Sequence, residues 1–201
     1  MTFEPALLND PLATMPDAHD ESTTATSAVS LDAPPAEPSD AASEPLLPEP
    51  ADWTDPFTGT GGPLLWDHIV PKEAARIRRY RRTACIVLVE LAGLENVAAW
   101  LGRELAVELF ARLARALGAE IRTSDDICRI ARDRFGILLV ETDEVAAINF
   151  VDRVRPILRK HIGSRDIGLH VRIGWASPPA GAGLVEAIPI ATERLAADPG
   201  A

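Results

Sequence analysis

The stretch Ile121-Arg-Thr-Ser-Asp-Asp-Ile-Cys-Arg-Ile-Ala-Arg-Asp-Arg-Phe-Gly-Ile-Leu-Leu-Val140 reads as a β-hairpin, and the fold of the chain is decided there. Residues 127–131 and 135–140 are short apolar runs of the composition that fits a pleated, half-buried surface. Between them stand Arg132, Asp133 and Arg134, and just upstream lies Arg122-Thr-Ser-Asp125. Charged residues at a tight turn between buried strands sit where a ligand can reach them, so function is sought first at this tip and its shoulder.

The flanking segments extend the pattern. Residues 84–91 (Ala-Cys-Ile-Val-Leu-Val-Glu-Leu) are apolar except for Glu90, as in a central strand covered on both faces. A carboxylate at the end of such a strand is costly to bury without a partner or a metal. Next, Leu94, Val97, Ala98, Leu101, Leu105, Leu109, Leu113 and Leu117 recur at steps of three and four, which predicts one long helix ending at Gly118.

After the hairpin, residues 145–161 predict a second amphipathic helix, with Ile148, Val151, Val154 and Leu158 inward and Asp152, Arg153, Arg155 and Arg159 outward. Ile167, Leu169, Val171, Ile173 and Trp175 alternate with polar or small residues, the mark of a half-buried strand. A last helix over 184–196 is weakened by Pro189. Ahead of the first strand, Pro63 suits the opening position of a helix that Pro71 interrupts or restarts. Its continuation carries Arg76, Arg78, Arg79, Arg81 and Arg82. That cluster reads as a solvated face favoured by the C-terminal dipole, in preference to a nucleic-acid surface. The order of elements gives an α+β domain: a mixed sheet covered by helices, with split βαβ connections.

Composition divides the chain at residue 52. Residues 1–52 hold eleven Asp and Glu, no Lys or Arg, and nine of the 17 prolines. Such a mixture cannot bury enough apolar surface to offset its ordering entropy, so a disordered acidic tail is expected there, with the folded domain over 53–201. The arginine cluster is a local candidate for its charge. The tail has no basic residue ahead of an apolar core, so it does not read as a secretory leader, and no run approaches the roughly 18 apolar residues of a membrane span. A cytoplasmic protein is expected. Cys85 and Cys128 both lie in apolar runs and read as buried free thiols, a disulfide between neighbouring strands being the lesser alternative; no metal-ligand spacing is present.

The residues resemble a known family. Asp55-Pro-Phe-Thr-Gly59 resembles the Asp-x-Leu-Thr-Gly opening of GGDEF domains, the bacterial diguanylate cyclases. Arg129-Ile-Ala-Arg-Asp-Arg-Phe-Gly-Ile-Leu-Leu139 resembles their Arg-x-Gly-Gly-Asp-Glu-Phe-x-x-Leu-Leu signature, and Ile173-Gly-Trp-Ala176 resembles their Ser-Ile-Gly-Val-Ala strand. Each match is short; their shared order and spacing carry the resemblance. It implies a nucleotidyl-cyclase-like, ferredoxin-like fold and a signalling role built on cyclic di-GMP, which members make from two GTP molecules with two divalent cations, two domains meeting head to head.

Against that implied chemistry the site positions depart. Ala131 and Arg132 stand where the family has two glycines, so the close backbone approach to phosphate that glycine permits is obstructed. Asp133 keeps a carboxylate, but Arg134 reverses the charge of the next position. Glu90 fills the first metal position and Ala92 the second. The guanine-reading positions fall on Ala98 and Val107, and no lysine follows Lys160. Glu90, Ala131, Arg132, Asp133 and Arg134 are thus read as a vestigial active site without catalytic residues, and two carboxylates beside two arginines make a poor Mg²⁺ site.

One part of the family pattern survives. Members bind product cyclic di-GMP at an inhibitory Arg-x-x-Asp placed five residues before the first motif glycine, and Arg122-Thr-Ser-Asp125 stands five residues before Ala131. A guanidinium offers a planar fork to phosphate or to a guanine edge, and a carboxylate accepts from guanine donors. The family's further arginine, on the helix after the hairpin, falls on Arg153. The expected ligand site is therefore Arg122, Asp125 and Arg153, in a catalytically inactive receptor that signals to a protein partner, with a ligand-mediated homodimer as one arrangement. Two alternatives stand beside it: a ligand-independent interaction scaffold, and a residual cyclase or GTP sensor using Glu90 and Asp133. Asp125 can also serve only to satisfy local backbone groups at a helix-to-strand corner.

Overall fold

The structure is a computed structural model that describes residues 45–162 and 168–200. Helix α1 (Pro63–Tyr80) precedes β1 (Ala84–Ala92), followed by α2 (Leu94–Leu101), α3 (Arg103–Glu120) and the hairpin of β2 (Asp126–Ala131) and β3 (Arg134–Val140). Then come α4 (Glu144–Ile162), β4 (His170–Ala176), a single 3-10 turn over Leu184–Glu186, and α5 (Ala187–Ala197). The expected tail lies outside the described residues up to residue 44, and so does Ile167 of the expected last strand.

The strand order is β2-β3-β1-β4, and β1 pairs antiparallel with both β3 and β4, as β2 does with β3. The sheet is antiparallel throughout, where a mixed one was expected. The reason is topological: each helical crossover returns the chain parallel to its starting strand, but another strand is inserted between the two. Two split βαβ units interleave in this way, the ferredoxin-like arrangement.

Alternation along β1 builds two cores. Cys85, Val87, Val89 and Leu91 face α2, α3 and α4 with Leu109, Phe110, Leu113, Val151 and Leu158. Ala84, Ile86 and Leu88 face α1 and α5 with Trp66, Val70, Ile77, Ala191 and Leu195. This double cover is why the strand reads as a continuous apolar run. Phe110 of α3 stacks on Phe135 of β3, ring centroids 5.1 Å apart, which seats the helix over the hairpin.

Three local readings change. The leucine repeat spans two helices, because Gly102 takes φ 95° and breaks the run. The phase then slips, and Leu101 and Leu105 are exposed, with Trp100 beside them 80 % exposed. Pro71 lies inside a continuous α1. Pro71 and Asp67 are both exposed, so the carbonyl that loses its amide partner is on the water side. In α4, Ala147 and Phe150 are buried and Ile148, expected to face inward, is exposed. The packed region also begins before Trp53: Leu46 and Leu47 are buried among the α2–α4 core residues.

Candidate functional site

The hairpin tip is built on register. Arg129 faces Phe135 and Ala131 faces Arg134, so Ile130 is an extra residue that bulges the strand. Arg129 is fully buried. Its guanidinium donates to Asp55 Oδ1 at 2.9 Å, to Pro48 O at 2.7 Å and to Arg132 O at 2.7 Å, and lies 5.1 Å from the Phe110 ring centroid. It thereby holds both the turn backbone and the upstream segment.

Register also sets the fate of Glu90, which pairs with Arg134 on β3 and with Arg172 on β4. Arg134 donates to Glu90 Oε2 from Nη2 at 2.5 Å and from Nε at 3.2 Å, while Arg172 Nη1 lies 3.6 Å from Oε1. Both carboxylate oxygens therefore face a guanidinium. Arg132 reaches outward to Glu49, 3.3 Å away. Asp133 accepts from the Leu91 amide through its backbone carbonyl. Burial, reinforced by the charge of Glu90, pushes the Asp133 carboxyl above the usual aspartate range. Among the described residues no group of three His, Cys, Asp or Glu side chains is placed to hold a metal.

At the shoulder, α3 ends at Glu120 and β2 starts at Asp126. Asp125 closes the corner between them. Its Oδ2 accepts from the Arg122 amide at 3.0 Å and its Oδ1 from the Val140 amide at 3.1 Å, and its own amide donates to Arg122 O at 3.0 Å. The carboxylate thus satisfies local amides, as the structural alternative for this residue requires. Arg122 is exposed, and among the described residues its guanidinium has no hydrogen bond or ion pair. Arg153 of α4 donates through Nε to Glu120 Oε2 at 3.0 Å and through Nη2 to Glu120 O at 3.1 Å. Glu120 is two residues ahead of Arg122, so Arg153 is tied to the end of the helix that leads into the Arg122–Asp125 corner.

Two participants escaped sequence reading. Arg172 sits opposite Glu90 only through β4 register, which no local spacing reveals. Glu120 fell in a connection because the helix was expected to stop at Gly118.

The family model described as "Diguanylate cyclase, GGDEF domain" matches residues 52–193. The chain belongs to the GGDEF family. It is 26% identical over 100 residues to the probable diguanylate cyclase DgcC of Escherichia coli K12, a match that takes in 50% of this chain and 27% of that protein. The chain thus spans about a quarter of the length of the curated relatives it matches. Among solved structures, the coiled coil and GGDEF domain of DgcB from Caulobacter crescentus, in complex with c-di-GMP, superposes with TM-score 0.65 at 15% identity, covering 72% of this chain and 78% of that one. The diguanylate cyclase SiaD of Pseudomonas aeruginosa, in complex with its activator SiaC, gives TM-score 0.64 at 21% identity over 73% and 58% of the two chains. At these identities the structural likeness establishes the GGDEF fold. No helix among the described residues is long and apolar enough to cross a membrane.

Proposed function

We propose that this GGDEF domain is a catalytically inactive receptor for cyclic di-GMP, binding it through Arg122, Asp125 and Arg153 and passing the signal to a protein partner. The observation that carries the reading is Arg122, an exposed guanidinium without a partner among the described residues, on a corner that Asp125 holds rigid. A fixed corner offering a free planar donor suits a phosphodiester or a guanine edge. That related domains have been solved with c-di-GMP supports the choice of ligand.

Inactivity rests on the tip. A Mg²⁺ site draws on oxygen ligands in near-octahedral geometry, and the one strand-end carboxylate, Glu90, is already neutralised by Arg134 and Arg172. Ala92 supplies no second carboxylate, so these residues do not fit a divalent cation.

Isothermal titration with cyclic di-GMP tests the reading. Binding at micromolar concentration that weakens at least about tenfold on Arg122→Ala is expected, one bidentate guanidinium contributing about 1.5–3 kcal/mol. No heat at tens of micromolar, or equal affinity in the variant, overturns it. Incubation with GTP and Mg²⁺ or Mn²⁺ is expected to give no cyclic di-GMP. The second reading, a ligand-independent scaffold, draws on Trp100, which stands 80 % exposed beside Leu101 and Leu105.

A further inference from the structure

We infer that Glu120 sets the charge class of ligand accepted at the Arg122–Arg153 corner, selecting a dinucleotide closed by phosphodiesters over one that ends in a phosphomonoester. The inference rests on the receptor reading above. Glu120 is the last residue of α3, and Arg153 grips it twice, through the carboxylate at 3.0 Å and through the backbone carbonyl at 3.1 Å. The pair lies at the surface, with side-chain exposures of 53% for Arg153 and 25% for Glu120. An incoming phosphate therefore meets Arg153 with a carboxylate already on its Nε edge.

Four charged residues belong to this corner: Arg153 bonded to Glu120 at the end of α3, and Arg122 and Asp125 bonded to each other through the Arg122 amide two to five residues on. Their formal charges cancel. A site of this kind attracts phosphate through local donors and not through net charge, and Glu120 offsets the attraction that each surplus ligand charge would otherwise draw from Arg153. A cyclic dinucleotide brings one charge per phosphodiester. Its linear form, with one diester opened to a 5′-phosphate, brings about one-half to one more at pH 7. At about 6 Å and the dielectric of water, one charge pair changes an equilibrium constant about threefold, so the discrimination grows by about that factor for each surplus charge.

The two grips on Glu120 separate placement from charge. Arg153 Nη2 holds the backbone carbonyl, which survives any change of side chain, and a glutamine oxygen can still accept from Nε. Glu120→Gln thus keeps Arg153 in place and removes only the negative charge.

The test titrates cyclic di-GMP and its linear 5′-phosphorylated form into the wild-type chain and into Glu120→Gln. The wild type is expected to bind the linear ligand no more tightly than the cyclic one, since Glu120 offsets the pull of Arg153 on the surplus charge. In Glu120→Gln, affinity for the cyclic form rises about threefold and for the linear form on the order of tenfold, so the preference shifts toward the linear form. The gain shrinks in 1 M salt, where the screening length falls to about 3 Å. Cyclic di-GMP binding by the wild type with an unchanged preference in Glu120→Gln overturns the role of Glu120 and leaves the receptor reading standing. Failure of both proteins to bind either dinucleotide overturns the receptor reading and this inference with it.

Discussion

Arg129 and Asp55 form a buried ion pair, Nη1 to Oδ1 at 2.9 Å, with side-chain exposures of 0% and 1%. The two residues begin two of the three stretches by which the chain resembles its family, and they lie 74 positions apart. Neither is left short of partners. Asp55 Oδ2 accepts from the amide and hydroxyl of Thr58 at 2.9 and 2.6 Å, and Arg129 spends its other donors on Pro48 O and Arg132 O. The pair fixes the segment before α1 to the hairpin tip, so the tip is held from inside the fold whatever becomes of its outer face.

Removing one partner strands the other in a dry site. Arg129→Ala is expected to cost about 3–5 kcal/mol, and a double replacement by apolar residues of similar volume recovers much of that loss. Urea unfolding checks both. A loss under about 1 kcal/mol in the single variant contradicts the buried-pair account.

The thiols are expected to be inert. Burial pushes Cys85 up to about 11 and Cys128 to about 12, so the nucleophilic thiolate is scarce at neutral pH. Cys85 is on β1 and Cys128 on β2 with β3 between them, and they belong to opposite cores, which excludes the disulfide between neighbouring strands. A thiol reagent such as DTNB should leave the native protein unmodified at pH 8 and titrate both cysteines in guanidinium. Fast modification of the folded chain counts against this packing.

Gly174 is expected to tolerate no side chain. A Cβ there meets Ala191 O at 2.0 Å and Leu195 N at 2.4 Å, both backbone atoms of α5, which cannot rotate away. Gly174→Ala must lift the helix from β4, at a cost of about 1–3 kcal/mol or more. Unfolding within about 0.5 kcal/mol of wild type would place α5 further from the sheet than described.

What could be read from the sequence follows from which interactions are local. The alternating last strand was legible because a strand's face is written in steps of two, and the first strand and the hairpin because runs covered on both faces are apolar without a break. The break at Gly102 was not, since the leucine repeat continues across it and only a positive φ reveals it. Burial of Leu46 and Leu47 was hidden in a Pro- and Glu-rich stretch, and it accompanies the grip of Arg129 on Pro48 O. At the site, Arg122 and Asp125 were legible as a spaced pair. Their tie to Arg153 runs through Glu120, 33 residues away, and no periodicity predicts a contact between the end of one helix and the face of another.

Asp133 gives the tip a pH signature. Its carboxyl lies above the usual aspartate range, first through burial and second through the Glu90 charge. The folded chain therefore keeps this proton to a higher pH than the unfolded chain does. In the window that opens near pH 4, the native state binds more protons, so stability from this group falls as pH rises, and the deficit persists at pH 7. Asp133→Asn removes the charge, and the backbone carbonyl still accepts from the Leu91 amide. The variant is expected to melt higher than wild type at pH 7, with the advantage shrinking toward pH 4, in thermal scans at constant ionic strength. An equal or lower midpoint at pH 7 would mean that Arg134 and Arg172 already compensate the Asp133 charge, and the tip would then have to be read as an internally neutral network.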